Sequence, residues 1–385
     1  MSNKPRVAFF PSASLAWMGG VNYYKNLFFA LKKHAKNELQ VIIFLPKVHD
    51  VEVINHYSQY VDELHIIDFL DTNNLFRLLS KVENILFGSH LVLEYLLKAY
   101  KIDLVSHSNF VGTRHLKVIS WIPDFQHLHL PDMFTSTEIS NRNKTFRNIA
   151  KKADAVIVSS NDALKDYHNF VPSFSSKGRV LQFVSQPFED YFVLSEPDKV
   201  LILSKYELPN SYFFLPNQFW KHKNHLTAFK SVKLLKDKGI DICLVCSGSL
   251  HDYRSPEFTE LIKEYVGKNK LDTNIKLLGV IPYHDVYRLI KFAKAVINPS
   301  LFEGWSSSVE ECKSVGKSLI LSNIEVHKEQ SVDASFFEKT NPDSLAATIQ
   351  SFENYDSVEI PEDVESRTKD YACNYIEIIK SVLNS

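Results

Sequence analysis

At 385 residues the chain exceeds what one hydrophobic core usually covers, so two domains are expected. Apolar residues make up 45% and charged residues 23%, with a formal net charge of -1, which describes a folded globular protein and gives no reason to expect nucleic acid as a partner. No apolar run approaches the roughly 20 residues that span a bilayer, and four cysteines are too few for a disulfide framework, so the expectation is a reduced, cytoplasmic protein.

The first 20 residues, MSNKPRVAFFPSASLAWMGG, lack a convincing apolar core and cleavage site, and read as a strand and loop rather than a signal peptide. From there, short apolar runs alternate with helical patterns, the signature of parallel α/β architecture. In the first half RVAFFP, QVIIFLP, ELHIID, IDLVSH, LKVISWIPD and ADAVIVSS are expected strands, with helices over VNYYKNLFFALKKHAKN and residues 144–153. Gly19 and Gly20 stand ahead of the first helix, where backbone can approach a phosphate closely or simply turn. The spacing is not GxGxxG, and the second strand leads into Lys47 rather than an acidic residue for a ribose, which argues against a dinucleotide site.

The first helix puts Leu27, Phe28 and Leu31 on an apolar face that ends in Lys32, Lys33 and Lys36. One reading packs this face on the first sheet. The other has these lysines, with Lys151 and Lys152, touch an anionic membrane surface. Behind the fifth strand, WIPDFQHLHLPDMF gathers Asp124, His127 and His129. The residue types permit a metal but the spacing lacks HExxH, and recognition of an acceptor by Asp124 and His127, or plain loop hydrogen bonding, are the other readings. Prolines and charges between Pro187 and Pro209 mark a domain boundary, giving a first domain over 1–190 and a second over 191–366.

In the second half YFFLPN, IDICLVCSG, NIKLLGVI, KAVINPS, KSLILSN and ASFFE repeat the strand pattern, with helices over HLTAFKSVKLLKDKG, FTELIKEYVGKN and VYRLIKFA. Cys243 and Cys246 have CxxC spacing but sit in a buried-strand pattern with no second ligand pair. After the first of these strands comes PNQFWKHKNH, where Lys221 and Lys223 beside Trp220 form either a grip for a diphosphate or a solvated basic turn. The acidic NYDSVEIPEDVES reads as a surface loop before a last helix over 367–383.

The most informative stretch is LFEGWSSSVEECKSVGK, residues 301–317. Three serines signal the start of a helix and Gly316 its end, so Glu303 lies in the loop before it and Glu311 one to two turns inside. The N–H groups and positive dipole end then face the space beside Glu303, which suits a phosphate.

Together, this Glu303-x7-Glu311 segment, MGGVNYYKNL, WIPDFQHLHLPDMF, NQFWKHKNH and IKLLGVIPYHDVYRLIKFAKAVINPS resemble, in order, glycosyltransferase family 4 of the GT-B fold. The resemblance covers most of the chain. It implies two Rossmann-like doubly wound domains facing across a cleft. The N-terminal one would bind the acceptor and the C-terminal one the nucleotide sugar, with the last helix, 367–385, returning to the N-terminal domain. It implies that Glu311 binds the ribose hydroxyls and that Glu303 faces the donor sugar. Backbone N–H groups of Trp305, Ser306, Ser307 and Gly20, with Gly19 and Gln218 nearby, would cradle the diphosphate. Lys223, helped by Lys221, would neutralise the leaving group, and His127 with Asp124 would sit near the anomeric centre or acceptor.

One departure stands out: the family often has an arginine five or six residues before the lysine, where this chain has Gln218 and Asn217. The chain also contains no Asp-x-Asp to hold a divalent ion on the diphosphate, so no metal and no cofactor are expected. The resulting expectation is a retaining transferase taking a hexose from a GDP- or UDP-linked donor to a glycan or lipid-linked glycan. A nucleotide-sugar epimerase or phosphorylase on the same fold, or a non-catalytic sugar-nucleotide-binding protein, are the rivals.

Overall fold

The computed structural model describes residues 4–14, 18–71, 74–87, 89–188, 190–252, 254–352 and 363–385. Two compact units form: the first holds Met1–Phe125, Ser136–Ser185 and Glu365–Ser385, the second Gln126–Thr135 and Gln186–Val364.

The first unit is built on β1 (Arg6–Phe9), β2 (Gln40–Leu45), β3 (Glu63–Ile66), β4 (Leu104–Ser106), β5 (Lys117–Trp121), β6 (Ala155–Val158) and β7 (Gly178–Val180). All neighbours are parallel in the order β3-β2-β1-β4-β5-β6-β7. Continuous apolar runs such as Val41–Leu45 are buried along their length, as strands covered on both faces require. The edge strand β7 is only half-buried and has no apolar run, which is why the sequence pattern missed it. Leu27, Phe28 and Leu31 of the helix Met18–His34 are buried in this core. The apolar face of that helix is therefore core packing. Lys32 Nζ donates to the Gln59 carbonyl at 2.5 Å, and Lys33 pairs with Glu365. The last helix, Val364–Leu383, buries Tyr371, Tyr375 and Ile379 in the first unit, and Tyr375 Oη donates to Ser106 Oγ at 2.7 Å.

The second unit repeats the scheme with β8 (Phe213–Leu215), β9 (Leu244–Cys246), β10 (Ile275–Leu277), β11 (Val296–Asn298), β12 (Leu319–Ser322) and β13 (Ser335–Phe337), again all parallel, in the order β10-β9-β8-β11-β12-β13. Alternate residues of one strand feed opposite cores, as the two-residue period of a strand dictates. Phe213, Leu215, Leu244, Cys246 and Ile297 pack on one face, and Phe214, Val245, Val296 and Leu321 on the other. Cys243 and Cys246 are free thiols inside this packing, and burial pushes the Cys243 thiol up to about 11.

The division of the chain differs from the 1–190 and 191–366 expected from sequence. The N-terminal part of the first unit ends at Ser185, and Gln126–Thr135 goes with the second. The reason is Arg254. Its Nη1 donates to Gln126 Oε1 at 3.2 Å, and its guanidinium lies 5.1 Å from the Phe134 ring and 5.2 Å from that of Trp220. His129 also packs on Phe302, with ring centroids 5.0 Å apart. Most of the acidic loop expected before the last helix, residues 353–362, lies outside the described residues.

Candidate active site

In an open parallel sheet, ligands bind beyond the carboxyl ends of the strands where the strand order reverses. In the second unit that point lies between β8 and β11, and both segments singled out by sequence leave the sheet there. β8 runs into Asn217, Gln218 and the short turn Lys221–Lys223, and β11 runs into residues 299–306 and the helix Ser307–Val315. Leu301 N donates to the His222 carbonyl at 2.8 Å, joining the two loops. Asn224 holds the turn from below in a left-handed conformation (φ 57°), with Nδ2 donating to the Pro299 and Lys339 carbonyls at 3.0 and 2.7 Å.

Lys223 Nζ meets Glu303 Oε1 at 2.5 Å, with side chains only 16% and 9% exposed. Ser300 Oγ lies 2.6 Å from the same carboxylate oxygen, and its backbone N–H is fixed by Asn298 Oδ1 at 3.2 Å. Burial alone would push the Glu303 carboxyl up, but the Lys223 ammonium overrides it and holds the group at about 2. Lys221 is arranged differently: its backbone N–H donates to Asp252 Oδ2 at 3.0 Å and the residue is exposed. Of the two lysines, Lys223 is the one paired with Glu303.

Glu311 projects from the helix Ser307–Val315, which Gly316 ends in the left-handed conformation (φ 72°). Its carboxyl is buried beside Tyr283, whose Oη donates to Oε1 at 2.8 Å, and burial pushes the group up to about 7 despite that hydrogen bond. The two glutamates are thus in opposite states, one ionised by a lysine and one kept weakly acidic by an apolar setting.

Between them lies the start of the helix. Ser306 occupies the cap position without capping: its Oγ accepts from Asn298 Nδ2 at 2.9 Å. Ser308 Oγ lies 3.2 Å from Asn298 Nδ2 and donates to Asn217 Oδ1 at 3.3 Å. The Ser306 N–H, expected to help cradle a diphosphate, is instead taken by Gln330 Oε1 at 3.1 Å, and Gln330 Nε2 returns a bond to the Ser306 carbonyl at 2.8 Å. Ser306 supplies no side-chain cap, so the positive end of the helix dipole suits an anion here. Asn217 Nδ2 is buried close by with no partner among the described residues, a costly state that an anion would relieve. Gly248, at the end of β9 with φ 136°, permits this crowding, because a Cβ there would lie 2.5 Å from the Asn217 carbonyl oxygen. Gln218 is half-buried in the same turn.

The other candidates lie elsewhere. Gly19 and Gly20 are in the first turn of the helix Met18–His34 of the first unit. Asp124 pairs with Arg142 Nη1 at 3.4 Å. His127 is buried on the short helix Gln126–His129, grouped with the second unit, its ring edge-on to Phe134 at 6.4 Å. Among the described residues no three His, Cys, Asp or Glu side chains converge in a way that could hold a metal ion. Sequence reasoning did not find Asn298, Ser300, Gln330 or Tyr283. Asn298 and Ser300 were legible as polar residues ending an apolar strand, whereas Gln330 and Tyr283 come from helices distant in sequence and carry no local signal.

Residues 204–371, less than half of the chain, match the family model for glycosyl transferases group 1. No curated protein matches. Solved structures similar to the whole chain include the Anabaena protein Alr3699/HepE in complex with UDP and glucose, which is 13% identical over 100% of both chains with a TM-score of 0.70. The catalytic domain of starch synthase IV from Arabidopsis thaliana, bound to ADP and acarbose, is 12% identical over 100% of both chains with a TM-score of 0.65. WaaG, a glycosyltransferase involved in lipopolysaccharide biosynthesis, is 10% identical over 98% of this chain and 97% of its own, with a TM-score of 0.62. By fold the chain is of the two-sheet GT-B type, and over residues 204–371 it matches the group 1 glycosyl transferases.

Proposed function

We propose that the protein is a retaining, metal-independent glycosyltransferase of family 4 type. It moves a hexose-type sugar from a GDP- or UDP-linked donor to a glycan or lipid-linked glycan acceptor, as in polysaccharide or O-antigen assembly. The observation that carries this reading is the buried Lys223–Glu303 pair and the buried Glu311 on either side of an uncapped helix start, at the switch point of the second sheet. The group 1 match, and neighbours whose structures hold UDP with glucose or ADP with acarbose, support a sugar-nucleotide ligand.

In this reading Glu311 accepts from the ribose hydroxyls, and the diphosphate lies over the start of the helix Ser307–Val315 with Asn217 Nδ2 and Lys223. Glu303 accepts from hydroxyls of the hexose. Lys223 leaves Glu303 in part for the diphosphate and stabilises the charge that grows there as the glycosidic bond breaks. The acceptor hydroxyl attacks the anomeric carbon from the face the diphosphate leaves. The C–O bond to the diphosphate breaks, and the hydroxyl proton passes to a diphosphate oxygen. The anomeric configuration is therefore kept, and both glutamates bind rather than act as an acid–base pair. His127 and Asp124 serve the acceptor side, and Gly19 and Gly20 are assigned to donor binding. Among the described residues no helix is long and apolar enough to cross a membrane. The proposed setting is the cytoplasm, with any membrane contact peripheral.

The test is slow donor hydrolysis in excess EDTA, followed by NMR of the released or transferred sugar. The reading expects turnover of at least one UDP- or GDP-hexose, a product with the donor's anomeric configuration on transfer, and loss of turnover in Glu303→Gln. Inverted product, or hydrolysis only after Mn²⁺ is added, would overturn it.

A further inference from the structure

Tyr283 opens the helix Tyr283–Phe292, directly after Pro282, on a segment distant in sequence from both glutamates. The start of that helix is fixed more firmly than a surface helix needs. Asp285 N donates to the Pro282 carbonyl at 2.9 Å. The buried Asp285 carboxylate accepts from Lys205 Nζ at 2.6 Å, Tyr206 Oη at 2.7 Å and Arg288 Nη1 at 3.1 Å. The Tyr283 ring stands edge-on to Tyr287, centroids 5.3 Å apart, and Tyr287 is tied by its Oη to the Gln186 carbonyl at 3.1 Å. The phenol that results donates to Glu311 Oε1 at 2.8 Å and also interacts with the Tyr287 hydroxyl. Glu311 Oε2 has no partner among the described residues, although the residue is only 6% exposed.

A buried carboxylate with one oxygen held and the other left over is arranged to receive a ligand rather than to complete a core. We infer that Tyr283 is the positioning residue for Glu311, fixing one carboxylate oxygen so that the other can accept a hydroxyl of the donor's ribose. This rests on the nucleoside role proposed above for Glu311. The groups around this carboxyl are Tyr283 and Tyr287 from their shared helix, and Cys312 beside it in its own. Lys317, the cation that acts on the neighbouring Cys312, donates to the Lys291 carbonyl at 3.0 Å. No cation among the described residues acts on Glu311, so the Tyr283 hydroxyl is the contact that favours its ionised form, and the donor's ribose hydroxyls would favour it further.

The experiment is calorimetric titration of the full chain with UDP-glucose and GDP-mannose at pH 6, 7 and 8. Their diphosphate diesters do not titrate in that range. The wild type is compared with Tyr283→Phe, Glu311→Gln and the double variant, and thermal melts confirm folding. For whichever donor binds, wild-type affinity should rise with pH through about 7 as Glu311 ionises. Tyr283→Phe should bind about five- to tenfold more weakly at pH 8 and move that rise to higher pH. Glu311→Gln should abolish the pH dependence, and adding Tyr283→Phe to it should cost nothing more, the coupling that a shared carboxylate requires. If Glu311→Gln binds donor as the wild type does, the nucleoside role itself fails. If Glu311→Gln weakens binding but Tyr283→Phe leaves affinity and pH profile unchanged, or costs the same with and without Glu311, Tyr283 is only packing and the inference is wrong.

Discussion

Replacing Lys223 with methionine isolates the energetics of the central pair. In the wild type the Glu303 carboxyl sits at about 2, against an ordinary value of 4.5, while its side chain is only 9% exposed. A depression of that size corresponds to about 3 kcal/mol of stability, present above pH 4.5 and lost as the pH falls towards 2. Lys223→Met removes the cation but leaves the burial, so the carboxyl must rise above its ordinary value. Breaking one side of a buried pair costs about 3–5 kcal/mol, in line with that figure. Urea unfolding at pH 7 should therefore show a loss of about 3 kcal/mol or more. At pH 3 the gap should narrow, because the wild type has lost part of its gain and the variant's carboxyl is protonated. Lys223→Met combined with Glu303→Gln should recover most of the loss. An equal deficit at both pH values would mean the lysine acts through its packing and that the pair contributes no electrostatic stability.

Glu311 predicts the opposite slope. Its carboxyl is raised to about 7, so the wild type loses stability as the pH climbs from 4.5 through 7, and Glu311→Gln should be more stable by up to ~3 kcal/mol at pH 8 and unchanged near pH 4 in urea melts. Gly248→Ala should destabilise the second unit by about 2 kcal/mol or more, since the new Cβ meets backbone of Asn217 and Gln218 at a φ of 136°; a melt within experimental error of wild type would contradict the crowding. Activity should persist in excess EDTA, and recovery of lost activity with Mn²⁺ would show that a metal holds the diphosphate after all.

Much of this was legible in the chain because parallel strands buried on both faces are continuous apolar runs. VIIFL and AVINP announce β2 and β11 without help from any partner, whereas β7 at a half-buried edge has no such run. Two further helices carry strong local end signals, Ser195 boxed with Asp198 and Asn341 accepting from Asp343 and Ser344, but were not among the helices expected from the apolar pattern. In the candidate site, Glu303, Glu311 and Lys223 could be read because one loop-and-helix segment and one short turn carry them. The contacts that decide their charge could not, since burial and Tyr283 come from tertiary packing. The same limit explains Ser306. A serine before a helix is an ordinary cap in sequence, yet Asn298 and Gln330, from β11 and a helix beyond β12, claim its hydroxyl and its N–H. Likewise Gln126–Thr135 reads as the tail of the first domain until Arg254, from over a hundred residues on, holds it to the second.

The central claim is that a sugar nucleotide binds beyond β8 and β11 with its ribose on Glu311. Its most direct test is calorimetric titration of the wild type and Glu311→Gln at pH 8 with UDP-, GDP- and dTDP-hexoses. The account predicts that at least one donor binds the wild type and that the variant binds it roughly ten- to a hundredfold more weakly, the value of about 1.5–3 kcal/mol for a hydrogen bond to a charged group. Absence of binding by every donor, or equal affinity in the two proteins, would contradict it.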